Sequence, residues 1–198
     1  LDFGISEDGR LYYAMELLEG ATIRSIVRNG GAISVDRALE LVAQAADALA
    51  EAHASQIVHR DVKSENLFVT KSPEGRDFLK VLDFGVASVL DDPSFVVTRT
   101  GSVSGTPGTM SPEVILGQPT TAKADIYALG VVLYFMVTGT MPFGEGTGPQ
   151  LLVAQVRDEL VPPSKRATQF IPREVEDIII RAMAKDPKAR FADAAEMA

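Results

Sequence analysis

The 198-residue chain contains no cysteine, which excludes a disulfide framework and any thiolate metal site. It has two histidines, too few for a His-rich zinc centre. Basic residues are outnumbered, 19 against 27 acidic, for a net charge of −8. A nucleic-acid binder needs a basic face that this balance does not supply. Nucleotide binding stays open, because a nucleotide arriving with a divalent cation needs only local positive charge. The longest apolar run, 126–137, is broken only by Gly130 and is shorter than the roughly 20 residues that span a bilayer. It reads as a helix buried on all sides, and no membrane segment is expected in these residues. There is no initiator Met and no basic-then-apolar leader pattern, so the expectation is a piece whose true start lies upstream. The phosphate-loop pattern G-x-x-x-x-G-K-[ST] occurs nowhere.

Of the residues present, 46% are apolar and 23% charged, the balance of an ordinary globular domain with a substantial core. Residues 1–4 and 11–18 are short apolar runs separated by a segment that ends in Asp8-Gly9, a hairpin signal. Ser34 is placed to cap a long helix in which Val35, Ala38, Leu39, Val42, Ala45, Ala46, Leu49 and Ala52 recur at three- and four-residue spacing, ending near His53. Strands are expected at 67–70 and 78–82, joined by the turn-rich Ser72-Pro73-Glu74-Gly75. Residues 91–109 are rich in Ser, Thr, Gly and Pro and read as a long loop of the kind that is usually functional. Helices are expected at about 121–137, 150–158 and 172–184, with a last short one starting near Phe191. In the third, Val175, Ile178, Ile179, Ala182 and Met183 form one apolar stripe. The layout is a helix-rich lobe with the remnant of a sheet at its front.

Three motifs occur in order: His59-Arg60-Asp61-Val62-Lys63-Ser64-Glu65-Asn66, then Asp83-Phe84-Gly85, then Ser111-Pro112-Glu113 after Gly105-Thr106-Pro107. With them the chain resembles the protein kinases, whose signatures are H-R-D-x-x-x-x-N, D-F-G and A-P-E. The run as a whole looks like the eukaryotic-like Ser/Thr kinases of bacteria, and the similarity covers essentially the whole chain. A lone Asp-Phe-Gly is weak evidence. Leu1-Asp2-Phe3-Gly4 repeats it with no catalytic loop before it, and Asp2 reads as a strand-end or turn residue.

The resemblance implies an α+β, protein-kinase-like fold: residues 1–18 as the end of a small-lobe sheet and hinge, and 19–198 as the large helical lobe. Within that lobe it implies a catalytic loop at 55–70, a metal-binding turn at 83–85 and an activation segment at 83–113. The implied reaction is transfer of the ATP γ-phosphoryl to Ser or Thr hydroxyls of proteins. The transferred group carries dispersed negative charge, so catalysis is positioning and electrostatics. Asp61 would take the hydroxyl proton, Lys63 would place positive charge on the moving phosphoryl, and Thr106 would hydrogen-bond both. Asn66 and Asp83 offer hard oxygen ligands suited to Mg2+. For the nucleotide, Met15, Glu16 and Leu18 match the gatekeeper and hinge, Phe68 an apolar floor under the base and Thr22 a place near the ribose. Lys63, Glu65, Asn66 and Asp83 complete that set. His59 is expected to pack near Phe84 without a catalytic role. Asp125 would cap the catalytic-loop backbone, and Arg190 would pair with Glu113. Arg60 beside Asp61 suggests control by phosphate in the loop, with Thr98 and Thr100 the best matches.

The chain also departs from the family pattern. Ser64 and Ser111 stand where many relatives carry Pro and Ala, and Thr109 replaces a frequent aromatic, which leaves peptide specificity open. There is no Gly-rich phosphate loop, no strand lysine and no partner glutamate for it; Gly144-Glu145-Gly146-Thr147-Gly148 follows a helix and is not that loop. These 198 residues alone are therefore expected to be inactive or nearly so. Implied partners are Ser/Thr-bearing protein substrates and a second kinase chain for autophosphorylation, in the cytoplasm or at the cytoplasmic face of a membrane. The alternatives are a catalytically dead scaffold or binding module of the same fold and, more distantly, a small-molecule phosphotransferase. The intact set Asp61, Lys63, Asn66 and Asp83 argues against the first, and the Ser-Pro-Glu element against the second.

Overall fold

The computed structural model describes residues 2–5, 8–84, 106–146 and 148–198. Gly85, Thr98 and Thr100 lie outside them. The architecture is α+β. Strand β1 (Asp2–Ile5) pairs antiparallel with β2 (Leu11–Ala14), Phe3 opposite Tyr13, around a turn in which Gly9 takes φ 81°. The second strand is shorter than its apolar run suggests, since 15–19 leave the extended pairing. A separate three-stranded sheet has the order β3 (Ala21–Thr22), β4 (Leu67–Lys71), β5 (Asp77–Val81). Strand β3 is two residues long, too short to leave a periodic signal. Gly20 before it is required by close approach: its φ is +148°, and a Cβ there would lie 2.0 Å from the Val69 carbonyl oxygen.

Eight residues form α1 (Ile23–Gly30), which the apolar pattern does not announce. Its N-cap is Thr22, whose Oγ1 accepts from the Ser25 amide at 3.1 Å. Helix α2 (Val35–Ala54) follows the expected stripe, burying Ala38, Leu41, Val42, Ala45, Ala46 and Leu49. Ser34 stands at its N-cap, but the hydroxyl makes no capping bond; it is exposed, where water can serve the first-turn amides. The one-turn α3 (Pro112–Ile115) has Pro at its first position, which needs no amide there.

Helix α4 (Ala122–Thr138) is the central pillar, buried without a break from Ala124 to Thr138. It packs against α2 and against α6 (Arg173–Ala182). At Gly130 the α6 contact leaves no room: a Cβ would lie 2.7 Å from the Ala182 Cβ. Helix α5 (Pro149–Arg157) lies beside α3. The last helix, α7 (Ala194–Met197), begins later than Phe191 because Asp193 supplies the cap, its Oδ1 accepting from the Glu196 amide at 2.8 Å. Short 3-10 turns occupy Pro163–Lys165 and Pro187–Ala189. No described helix is long and apolar enough to cross a membrane.

Candidate active site

The loop after α2 carries the first motif, and α4 holds it in shape. Asp125, in the first turn of α4 and almost fully buried, accepts hydrogen bonds from the amides of His59 (2.8 Å) and Arg60 (2.9 Å) and from His53 Nε2 (2.8 Å). Arg60 sits in the left-handed region at φ 67°, a costly conformation for a long side chain, and these amide bonds hold it there. The next residue, Asp61, is thereby turned to face Lys63 and Thr106.

Asp61 carries three side-chain hydrogen bonds. Lys63 Nζ donates to its Oδ2 at 2.5 Å, Asn66 Nδ2 to the same oxygen at 3.2 Å, and the Thr106 hydroxyl to Oδ1 at 3.3 Å. Lys63 Nζ also donates to Thr106 Oγ1 at 3.1 Å, which closes a carboxylate–ammonium–hydroxyl triangle. The Asp61 side chain keeps 31% and Lys63 22% of its surface open to solvent, so a substrate can reach both. Charge-assisted bonds of this kind orient the carboxylate tightly.

Asn66 is buried. Its amide nitrogen is committed to the Asp61 carbonyl (2.9 Å) and carboxylate, while Oδ1 makes no hydrogen bond among the described residues. The Leu82 amide donates to the Asn66 carbonyl at 2.8 Å, so the β4–β5 hairpin returns the chain to where it left and brings Asp83 back next to the end of the His59–Asn66 loop. Asp83 adopts φ 56°, a conformation that Asp tolerates better than most residues, and it is exposed. A free amide oxygen and an exposed carboxylate are hard oxygen donors of the kind Mg2+ takes, so these two residues fit that ion. His59 lies behind them: Nε2 donates to the Leu82 carbonyl at 2.9 Å and Nδ1 accepts from the Asp61 amide at 3.3 Å, one neutral tautomer serving both. Its ring is 4.8 Å from that of Phe84.

The nucleotide-side residues divide. Met15 and Glu16 are exposed beyond the end of β2, and Glu16 Oε1 accepts from Lys80 Nζ at 2.5 Å. Leu18 is half-buried. Phe68 lies on β4 between Thr22 and Lys80. The Thr22 hydroxyl is occupied with capping α1. Glu65 accepts from the Ser64 hydroxyl at 3.0 Å and pairs with Arg24 at 3.3 Å.

Beneath the site, Arg190 meets Glu113 in a two-pronged ion pair, both bonds 2.7 Å. Burial alone would raise the Glu113 carboxyl; the bonds from Arg190 and from the backbone outweigh it and hold the group below the usual carboxylate range. Sequence reasoning passes over Gln155 on α5, whose side chain reaches the loop after Thr106. A polar residue in an amphipathic helix carries no signal that it is buried.

The fold is protein-kinase-like. A solved structure of the Rad53 kinase domain and SCD2 in complex with AMPPNP superposes on 92% of this chain and 65% of its own, with TM-score 0.70 and 25% identity. The chain belongs to the protein kinase family: the family model for the protein kinase domain matches residues 4–198. Among curated relatives, Serine/threonine-protein kinase pkn3 of Myxococcus xanthus is 38% identical over 98% of this chain and 36% of its own length. PknB of Mycolicibacterium smegmatis is 40% identical over 94% and 29% respectively. A probable serine/threonine-protein kinase of Clostridium perfringens, CPE1738, is 40% identical over 100% and 28%. The chain thus spans about a third of the length of the curated relatives it matches.

Proposed function

We propose that the protein carrying these residues transfers the γ-phosphoryl group of ATP to serine and threonine hydroxyls of protein substrates. The observation that carries this reading is the triangle of Asp61, Lys63 and Thr106, with the free Oδ1 of Asn66 beside it. In the proposed reaction the substrate hydroxyl oxygen forms the new bond to phosphorus, its proton passes to Asp61, and the bond to ADP breaks. Lys63 offsets the negative charge of the group in transit, and Thr106 keeps carboxylate and ammonium in register. Asn66 and Asp83 would hold Mg2+, which neutralises phosphate charge when bound.

On this reading residues 1–18 are the end of the small-lobe sheet with the hinge, where Met15, Glu16, Leu18 and Phe68 border the base, and 19–198 form the large lobe. Thr22, engaged as a helix cap, can offer the ribose at most its outward face. Thr98 and Thr100 are proposed phosphorylation sites in the activation segment, modified by a second copy of the kinase in the cytoplasm. The 198 residues by themselves, with no strand lysine and no Gly-rich loop, should turn over slowly or not at all. The test is a radiolabelled-ATP assay of the natural polypeptide on Ser/Thr peptides, beside Asp61→Asn. Wild-type transfer that Asp61→Asn leaves at full rate would sink the assignment.

A further inference from the structure

The loop from Thr106 to Thr109 carries a hydroxyl of the catalytic triangle, yet its own backbone does little to fix it. Thr109 folds back on Thr106, its amide and hydroxyl both reaching the Thr106 carbonyl at 3.0 and 3.3 Å. Pro107 has no amide to give. Among the described residues no backbone amide donates to the carbonyls of Pro107 or Gly108. Both instead accept from one side chain: Gln155 Nε2 donates to Gly108 at 2.6 Å and to Pro107 at 3.3 Å.

Gln155 is fully buried, and every polar part of it is engaged. Its Oε1 accepts from the Tyr127 hydroxyl of α4, and its main-chain carbonyl accepts from Lys185 Nζ at 2.6 Å. Lys185 in turn lies 4.1 Å over the Phe143 ring. Packing alone would be served by a leucine, and a buried amide is tolerated only when its bonds are made. Here the amide nitrogen is spent on the two consecutive carbonyls immediately after Thr106, while the Tyr127 hydroxyl of the core helix holds the amide oxygen and Lys185 holds the main chain of the same residue.

We propose that Gln155 is a positioning residue for phosphoryl transfer. It clamps the Pro107–Gly108 backbone so that the Thr106 hydroxyl reaches Asp61 and Lys63, and it thereby links α5 to the catalytic triangle through Thr106. The catalytic half of this inference rests on the kinase reading; the clamp does not.

The test uses the natural polypeptide as wild type, Gln155→Leu, Thr106→Val and the double variant. Amide exchange at Thr109 is read first, since it needs no activity. Gln155→Leu should speed it about tenfold and leave α2 and the interior of α4 unchanged. Should Gln155→Leu fail to fold, Tyr127→Phe, which frees Gln155 Oε1 and keeps the ring, decides at the same amide. Exchange at the wild-type rate overturns the proposal. On a Ser/Thr peptide, Gln155→Leu should lower kcat about tenfold to a hundredfold with the ATP KM unchanged. In the Thr106→Val background the same change should add little. A loss of full size there means that Gln155 acts through something other than Thr106, and also overturns it. An inactive wild type would sink the kinase reading and leave the exchange result to decide the clamp.

Discussion

Arg190 and Glu113, 77 residues apart, meet through two parallel 2.7 Å hydrogen bonds in the interior. The guanidinium uses all five of its donors: Nε on the Ala184 carbonyl, Nη1 on Glu113 and the Lys123 carbonyl, Nη2 on Glu113 and the Lys185 carbonyl. Its face lies 4.9 Å over the Tyr127 ring. Full satisfaction is what makes a buried cation tolerable here, and it is why removing one partner is costly.

Glu113→Ala should therefore destabilise the fold by about 3–5 kcal/mol, because it strands a buried guanidinium. Arg190→Lys should recover little, since an ammonium cannot match the planar fork. Denaturant unfolding checks both, and an unchanged midpoint for Glu113→Ala would refute the account.

The same pair sets an acid limb. The folded carboxyl of Glu113 titrates below its unfolded value, so its contribution to stability is complete above the unfolded value and disappears as pH falls through the folded one. Glu113→Gln should flatten the acid side of the stability–pH curve. A wild-type slope in that variant would show that other groups govern it.

Lys185 predicts a slope of its own on the alkaline side. Burial holds its ammonium down to about 8 from 10.5; Asp158 opposes this shift and Arg190 adds to it. The unfolded state then binds more protons between those values, so stability rises with pH across about 8 to 10.5. Burial pushes the Tyr127 phenol up, which acts in the opposite direction above its ordinary value. The difference between wild type and Lys185→Met isolates the lysine. Parallel curves for the two proteins would contradict the prediction.

Asp125→Ala should cost about 1–3 kcal/mol for the buried His59 amide it leaves without a partner, with a smaller addition from the part-buried Arg60 amide. It should also lower turnover, because Arg60 loses the bonds that hold its left-handed turn. Equal loss of stability with full specific activity in the surviving folded fraction would separate the two effects and defeat the second.

Thr106→Ser should keep most of the activity and Thr106→Val should lose about tenfold or more, since only the hydroxyl reaches Asp61 and Lys63. Steady-state kinetics on one peptide reads the contrast, and equal rates for Ser and Val would remove the hydroxyl from the mechanism.

What was readable in the chain beforehand follows the range of each signal. Helices α2, α4 and α6 are long enough for their apolar period to stand out. Helix α1, with two buried residues in eight, and the two-residue β3 are not. Asp61, Lys63 and Asn66 lie within six consecutive positions, so the motif names them together. Ser34 marks the start of α2 at its true position even though its hydroxyl makes no capping bond, whereas Phe191 marks the last helix only roughly, because Asp193 supplies the cap.

The order of residues by itself determined the family, the alternation of buried and exposed faces, and the side chains proposed for phosphoryl transfer, because local pattern and motif spacing need no third dimension. The resemblance already implied that Asp125 caps the catalytic-loop backbone and that Arg190 pairs with Glu113; tertiary packing alone decided that Asp125 also takes His53, that Arg190 satisfies five donors at once, and that an ordinary glutamine in α5 is buried against the Pro107–Gly108 backbone. Burial and partner choice arise only when distant segments pack, and no local pattern encodes which polar side chain ends up without water.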